Sequence, residues 1–259
     1  MSVELIPLKS RIQTGRFEPL EQIERMVKRA RTTLFENDIL AISGKYLAMA
    51  EGRVVRLGKV APLEDAVKLA TRYSMSPAMT EIVLRESDLV LKGLNGFLLT
   101  VKDGAFAPNA GVDRSNVGHG KVILHPTFPS RQARVIRDWA FVRYGVQVGV
   151  VITDSRLQPI RKGTVGIAIG ASGVPSTVDE RGKKDLFGNL MKVTRRAIVD
   201  DVASAAQLVM GETSEAVPAV IIRGHGIPVD QKYDGLDISI PLSECIYVRG
   251  LSGYLREAS

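Results

Sequence analysis

The sequence predicts an α+β fold, on three observations. Apolar residues recur at helical spacing in some segments and form short continuous runs in others. The two kinds alternate unevenly, without the repeating strand–helix–strand rhythm of a doubly wound sheet. No internal repeat, low-complexity tract or linker interrupts the 259 residues, and a hydrophobic share of 45% is enough for a real core.

The elements follow in chain order. Residues 18–34 read as an amphipathic helix with Leu20, Ile23, Met26, Val27, Ala30 and Leu34 on one side and Pro19 in its first turn. Ile39 to Ile42 reads as a strand leading into Ser43-Gly44-Lys45, and Glu51-Gly52-Arg53 as a turn before a second short strand. Helices are expected over Pro62–Tyr73 and Pro77–Arg85, each opened by proline, and a strand over Phe97–Val101. Arg131 to Tyr144 is expected to be a basic helix with Val135, Ile136, Trp139 and Val142 on its apolar side. Val146 to Ile152 is an apolar run, and Gly163 to Gly173 a buried strand or hairpin whose four glycines imply close backbone packing. The longest later helix is expected over Val193–Met210, with Ile198, Val202, Ala205, Ala206 and Val209 inward, and Ala219–Ile222 is a last buried strand. A boundary is expected after Arg223-Gly224. Residues 1–224 then form the main domain, and 225–259 an extension lying on it or on a dimer partner.

Composition narrows the function. A net charge of +7 and a pI near 9.6 favour anionic ligands. An aromatic share of 5% supplies base stacking poorly, so small anions are preferred to nucleic acid. No apolar run approaches the ~20 residues of a membrane helix. The N-terminus lacks a signal pattern, and a single cysteine, Cys245, excludes an internal disulfide and a cysteine-based zinc cluster; a cytoplasmic protein is expected.

Common site motifs are missing. There is no Walker A loop, no dinucleotide glycine fingerprint and no Gly-x-Ser-x-Gly elbow. His119, His125 and His225 fit no zinc spacing, and the first two are expected to be solvated. What remains is carboxylates and cations in turn-like sequence. Asp113 lies in Pro108–Asn116 and Asp154 in Thr153-Asp154-Ser155, each read as a turn beyond a buried strand, an arrangement that holds Mg²⁺ or Mn²⁺ beside phosphate. Asp179, Asp185 and Asp200-Asp201 form a later acidic group. Lys45, Arg161, Lys183 and Lys184 supply positive charge near glycines, suited to neutralising a transferring phosphoryl group.

The order of the motifs carries a resemblance. Ala50-Glu51-Gly52-Arg53, Asn109-Ala110-Gly111-x-Asp113-x-Ser115-Asn116, Ile152-Thr153-Asp154-Ser155, Arg161-x-Gly163-x-x-Gly166-x-Ala168-Ile169-Gly170 and Lys184-Asp185-Leu186-x-Gly188 occur in that sequence. Met210-Gly211-Glu212 and Pro218-Ala219-Val220-x-x-Arg223-Gly224 follow. Over residues 3 to 224 the chain resembles the coenzyme F-420:L-glutamate ligases, the γ-glutamyl ligases of the deazaflavin cofactor. The resemblance implies mixed and antiparallel sheets with flanking helices, a homodimer, and GTP with Mn²⁺ or Mg²⁺. It implies a reaction in which GTP phosphorylates an acceptor carboxylate and the amine of L-glutamate displaces the phosphate, the acceptor being the deazaflavin coenzyme precursor.

By position, the resemblance implies metal ligation by Asp113, Asp154 and Ser155, nucleotide contacts from Gly44, Lys45, Asn116, Met210, Gly211 and Glu212, and a catalytic role for Asp113, Asp154 and Arg161. The chain also departs from the family pattern. Ala48-Met49 stands where Ser-Lys is usual, Leu157-Gln158 where Gly-Arg is usual, and Lys183 where arginine is usual. Leu8-Lys9-Ser10-Arg11 lacks the usual Leu-Pro pair. A phosphate donor replaced by the Met49 thioether forfeits roughly 1.5–3 kcal/mol unless another cation, such as Lys45, takes its place. Two other readings follow from these departures: ligation to another acceptor, such as a folate, and a non-catalytic protein that holds nucleotide or metal.

Overall fold

The computed structural model describes residues 2–257. In chain order its first elements are β1 (Glu4–Leu8), α1 (Pro19–Arg29), β2 (Ile39–Ser43), α2 (Gly44–Glu51), β3 (Val54–Arg56), α3 (Glu64–Arg72) and α4 (Pro77–Glu86). Next come β4 (Leu89–Leu94), β5 (Phe97–Lys102), β6 (Ala105–Phe106), β7 (Lys121–Ile123), α5 (Pro129–Tyr144), β8 (Gly149–Leu157) and β9 (Thr164–Ser172). The last are β10 (Val178–Asp179), β11 (Arg195–Arg196), α6 (Ile198–Met210), β12 (Ala219–Arg223) and α7 (Ile246–Glu257).

The centre is a five-stranded mixed sheet in the order β1-β12-β2-β8-β9, in which only the β2–β8 pair is parallel. The run Ile39-Leu40-Ala41-Ile42 is wholly buried because both faces of β2 are covered, the condition under which a strand reads as continuous rather than alternating. Leu40 and Ile42 join Leu8, Val150 and Ile152 under α1 and α5, while Ile39 and Ala41 join Val151 and Val220 under α6. A third cluster, around Met79, Ile82, Val83, Leu98 and Val122, gathers α4, the β4-β5-β6 sheet and the β3–β7 pair. The α+β architecture is therefore the one expected. Among the described residues no helix is long and apolar enough to cross a membrane.

The glycines of β9 explain how the helices reach the sheet. A Cβ on Gly166 would lie 2.4 Å from the carbonyl oxygen of Ala203 in α6, and one on Gly170 would lie 2.5 Å from the carbonyl carbon of Pro129 in α5. Each helix crosses the sheet where the strand has no side chain.

Helices α2 and α7 have no counterpart among the expected elements, α3 begins at Glu64 and not at Pro62, and two further helices differ in detail. α5 meets the sheet through Ala133, Ile136 and Ala140, whereas Val135 and Val142 face solvent. Ile136 is inward as expected and Trp139 packs partly buried against the same core, while Ala133 and Ala140 take the places expected of Val135 and Val142. The later helix begins at Ile198, not Val193. Arg195-Arg196 instead pairs with Val178-Asp179, and Arg195 and Arg196 bind the carboxylates of Asp179 and Glu180. Beyond residue 224, Ile227, Val229, Leu236 and Ile238 pack against the cluster under α6, and Asp234 pairs with Arg134 of α5 at 2.5 Å.

Candidate active site

The parallel pair β2–β8 sets the site. Ser43, the last residue of β2, stands opposite Thr153 of β8, so the start of α2 and the second half of β8 share one end of the sheet. Ligands of sheets with parallel strands gather at the carboxyl ends of those strands. Here a cleft of about 460 Å³ opens at that end. Its walls come from the Ser10–Gln13 segment, the start of α2, the Asn116 loop, β8, the end of α6 and the Gly211–Pro218 loop.

Asp154 does not lie in a turn. β8 continues through it to Leu157, paired with β9, and the extra residue Ile169 on β9 makes a bulge between Ile152 and Thr153. Such a bulge re-aims the side chains that follow it. Asp154 and Arg156, two residues apart, lie on one face of the strand. The Nε of Arg156 donates to Oδ2 of Asp154 at 2.7 Å, and the Ser155 N–H donates to Oδ1 at 3.0 Å. Ser155 points to the opposite face, and its hydroxyl donates to Oε2 of Glu212 at 3.2 Å. Glu212 also accepts from Thr164 at 3.1 Å and from Gln207, fastening β8, β9 and α6 at the rim of the cleft.

Asp113 is held differently. It follows a 3-10 turn, Pro108–Gly111, in which Asn109, Ala110 and Gly111 all have positive φ. Asparagine and glycine tolerate that region, whereas alanine there is strained by about 1–3 kcal/mol. The turn persists because Leu98 donates its N–H to Asn109 Oδ1 at 2.9 Å and Ala110 donates its own to Thr100 Oγ1 at 2.9 Å. Asp113 then pairs through its backbone with Ile123, and its carboxylate accepts from the Ser115 N–H at 2.8 Å and from the Ser115 hydroxyl at 2.7 Å. Lys45 forms an ion pair with it and donates to Ser115 Oγ at 2.6 Å. Burial pushes the Asp113 carboxyl up, but Lys45 and the Ser115 donors outweigh it and hold the group below the ordinary carboxylate value.

Of the residues singled out from sequence, Lys45, Asn116, Asp154, Ser155, Met210, Gly211 and Glu212 line the cleft. Asp113 stands behind Lys45. Gly44 is buried, and a Cβ on it would lie 2.6 Å from Ile169 Cδ1, so its visible role is to let α2 pack on the sheet. Arg161 is exposed in the β8–β9 connection and does not line the cleft, because β8 runs three residues past Asp154 before turning. The later acidic group does not assemble. Asp179 pairs with Arg181, Asp185 closes its own loop through Asn189, and Asp200 accepts the Ala168 N–H at 2.8 Å. Lys183 pairs with Glu180 on the exposed β10–β11 arm. Among the described residues no three His, Cys, Asp or Glu side chains are placed to hold a metal ion on their own. Asp154, with acceptor positions left open on both oxygens, and the Ser155 hydroxyl line the cleft, and donors of this kind suit Mg²⁺ or Mn²⁺, which draw their remaining ligands from substrate phosphates and water.

Sequence reasoning missed three features. His125 is not solvated. It is 3% exposed, its Nδ1 lies 3.4 Å from Asp103 Oδ2, and burial, helped by the charge of Arg156, lowers its pKa. Arg156 is 4% exposed. Met49, Tyr46 and Ile12 add apolar surface to the lining of a cleft that also holds Asp154 and Glu212. The Ala-Glu-Gly-Arg motif is structural in its visible contacts: Glu51 accepts the Thr127 N–H at 3.0 Å, Arg53 binds Glu86 at 2.6 Å, and Gly52 caps α2 in the left-handed conformation.

Comparison with known proteins identifies the family. The model of the F420-0:Gamma-glutamyl ligase family matches residues 13–224. A coenzyme F420:L-glutamate ligase of Methanopyrus kandleri is 40% identical over 86% of this chain and 87% of its own length. The protein of that name from Methanocaldococcus jannaschii is 38% identical over 95% of this chain and 96% of its own.

Proposed function

The chain belongs to the F420-0:gamma-glutamyl ligase family and is an amide-forming ligase; from that premise we propose that it joins L-glutamate to the deazaflavin coenzyme F-420 precursor at the expense of GTP, with Mn²⁺ or Mg²⁺. In this reading the γ-phosphoryl group passes from GTP to the acceptor's terminal carboxylate, releasing GDP. The nitrogen of L-glutamate then attacks the carbonyl carbon, loses a proton and expels inorganic phosphate, leaving the amide.

The observation that carries the reading is the meeting of Lys45, Asn116, Asp154, Ser155 and Glu212, from separate parts of the chain, in one cleft at the carboxyl end of β2. Asp154 and Asp113 would hold one metal and Ser155, on the other face of β8, would stand beside a second; when bound, metal neutralises phosphate charge. Lys45 supplies a cation near the phosphates, and Asn116 with the Met210–Glu212 turn orients the nucleotide. By the same resemblance the chain acts as a homodimer.

Purified protein supplied with GTP, Mn²⁺, L-glutamate and the unglutamylated coenzyme is expected to form the amide with matching GDP release. A folded protein that makes no amide under these conditions overturns the reading. A second reading, ligation to another acceptor, is favoured by Met49 standing in the cleft where the family carries lysine. GDP release with a folate and none with the deazaflavin would select it.

A further inference from the structure

The Arg156 side chain lies almost wholly inside the protein and touches both halves of the site. Its Nε holds Asp154 Oδ2 at 2.7 Å, and its Nη1 donates to the Phe106 carbonyl at 3.1 Å, at the start of the segment that leads to Asp113. The guanidinium lies beside Gly111, where a Cβ would stand 3.3 Å from Nη2, and Gly111 has φ +69°. A flexible surface cation would exchange partners with solvent. This one is 4% exposed, tied at two atoms and wedged against a glycine, so it cannot swing aside.

From this juxtaposition we propose that Arg156 is a positioning residue. It fixes the Asp154 carboxylate in one orientation and locks β8 to the Phe106–Asp113 segment, so that the two carboxylates keep a constant spacing. A planar guanidinium can do this because its donors diverge in a fixed fork; an ammonium cannot serve both partners in that geometry. A carboxylate has about four acceptor positions. Arg156 and the Ser155 N–H occupy one on each oxygen of Asp154, leaving the others for a ligand. Arg156 therefore orients Asp154 without consuming it, as groups behind metal-binding and phosphate-binding side chains do.

The test uses full-length Arg156→Gln and Arg156→Lys, with Asp154→Asn alone and combined with Arg156→Gln. Hydrogen exchange of the 106–113 amides in the absence of substrates reads the lock directly. Protection is expected to fall about tenfold or more in Arg156→Gln while the β2 and β12 amides stay protected. Unchanged protection of 106–113 overturns the proposal. The kinetic readout rests on the ligase reading. There, kcat is expected to fall about 10–100-fold with KM for L-glutamate within about twofold, and the double variant to be no worse than Asp154→Asn alone. Losses that multiply in the double variant would show that Arg156 does not act through Asp154, and would overturn the proposal. Arg156→Lys keeps the charge and separates positioning from folding. It is expected to hold the wild-type melting temperature more closely than Arg156→Gln without recovering kcat, and full recovery of kcat overturns the proposal. If Arg156→Gln does not fold, Arg156→Lys decides by the same exchange and kinetic criteria. A wild-type protein that forms no amide refutes the ligase reading alone, because the exchange result stands apart from it.

Discussion

Asp154 and Asp113 bring the same functional group to one corner of the molecule on very different supports. Asp154 stands on a strand of the central sheet, and its counter-ion Arg156 is enclosed by protein. Asp113 stands after three consecutive left-handed residues, and its counter-ion Lys45 is partly exposed on the wall of the cleft. The first carboxylate is built into the frame. The second is free to trade Lys45 for an incoming charge at small cost. A site that binds a metal–nucleotide complex gains from that asymmetry: one ligand defines the position, and the other adjusts to what arrives.

The largest difference between the two is expected in stability. Asp154→Ala strands the enclosed Arg156 charge and should lower the unfolding free energy by about 3 kcal/mol, the usual loss when one partner of an enclosed pair is removed. Asp113→Ala frees a partly exposed lysine and should cost less than about 1 kcal/mol. Urea denaturation measures both, and equal losses would break the contrast. Both variants are expected to lose metal-dependent GTP binding.

Gly111→Ala comes next, because it acts at the seam between the two supports. It places an L side chain at φ +69° and presses on Arg156 and His125, for an expected loss of about 1–2 kcal/mol together with reduced turnover. Unchanged stability would mean that the seam is looser than the distances indicate.

Lys45→Met addresses the adjustable half. The folded Asp113 pKa lies below its ordinary value, so its contribution to stability is present above the carboxylate range and is lost as pH falls through the folded pKa. Without Lys45 the burial of Asp113 is opposed only by the two Ser115 donors. Its pKa should rise, and that contribution should disappear at a higher pH than in the wild type. Carbon-13 NMR titration of Asp113 reads this directly, and an unmoved pKa would show that the Ser115 donors alone hold it. The smallest effect is expected from Met49→Lys, which adds a cation to the cleft and should tighten GTP binding modestly. Equal or weaker affinity would show that Lys45 already serves the phosphate.

The frame was legible in the sequence because it depends on short-range patterns. The runs at Ile39–Ile42 and Ala219–Ile222, the glycine spacing of β9 and the proline-opened α1 and α4 each carry their own local signal. Seven of the residues chosen for the site share the cleft: Lys45 follows the Ile39–Ile42 run, Asp154 and Ser155 stand within β8, Asn116 lies in a loop, and Met210, Gly211 and Glu212 close α6. What could not be read were long-range contacts. His125 looks like a loop residue until β7, Arg156 and Asp103 close over it. Arg156 lies between the Ile152–Ser155 motif and Leu157-Gln158, and its 50-residue reach to Phe106 leaves no trace in local composition. Val193–Ala197 continued a helical pattern, but Arg195 and Arg196 found carboxylates across a two-stranded ladder instead. Ala133 and Ala140 of α5 are buried although hydrophobicity alone ranks the exposed Val135 and Val142 above them, because which side of a helix meets the sheet is set by long-range packing.

The account stands most directly on calorimetric titration of GTP into the wild type and Asp154→Asn, each with and without Mn²⁺. It predicts binding to the wild type that depends on the metal and is lost in Asp154→Asn while the protein stays folded. Binding that ignores Mn²⁺, or that survives unchanged in Asp154→Asn, would contradict the assignment of this cleft as the metal–nucleotide site.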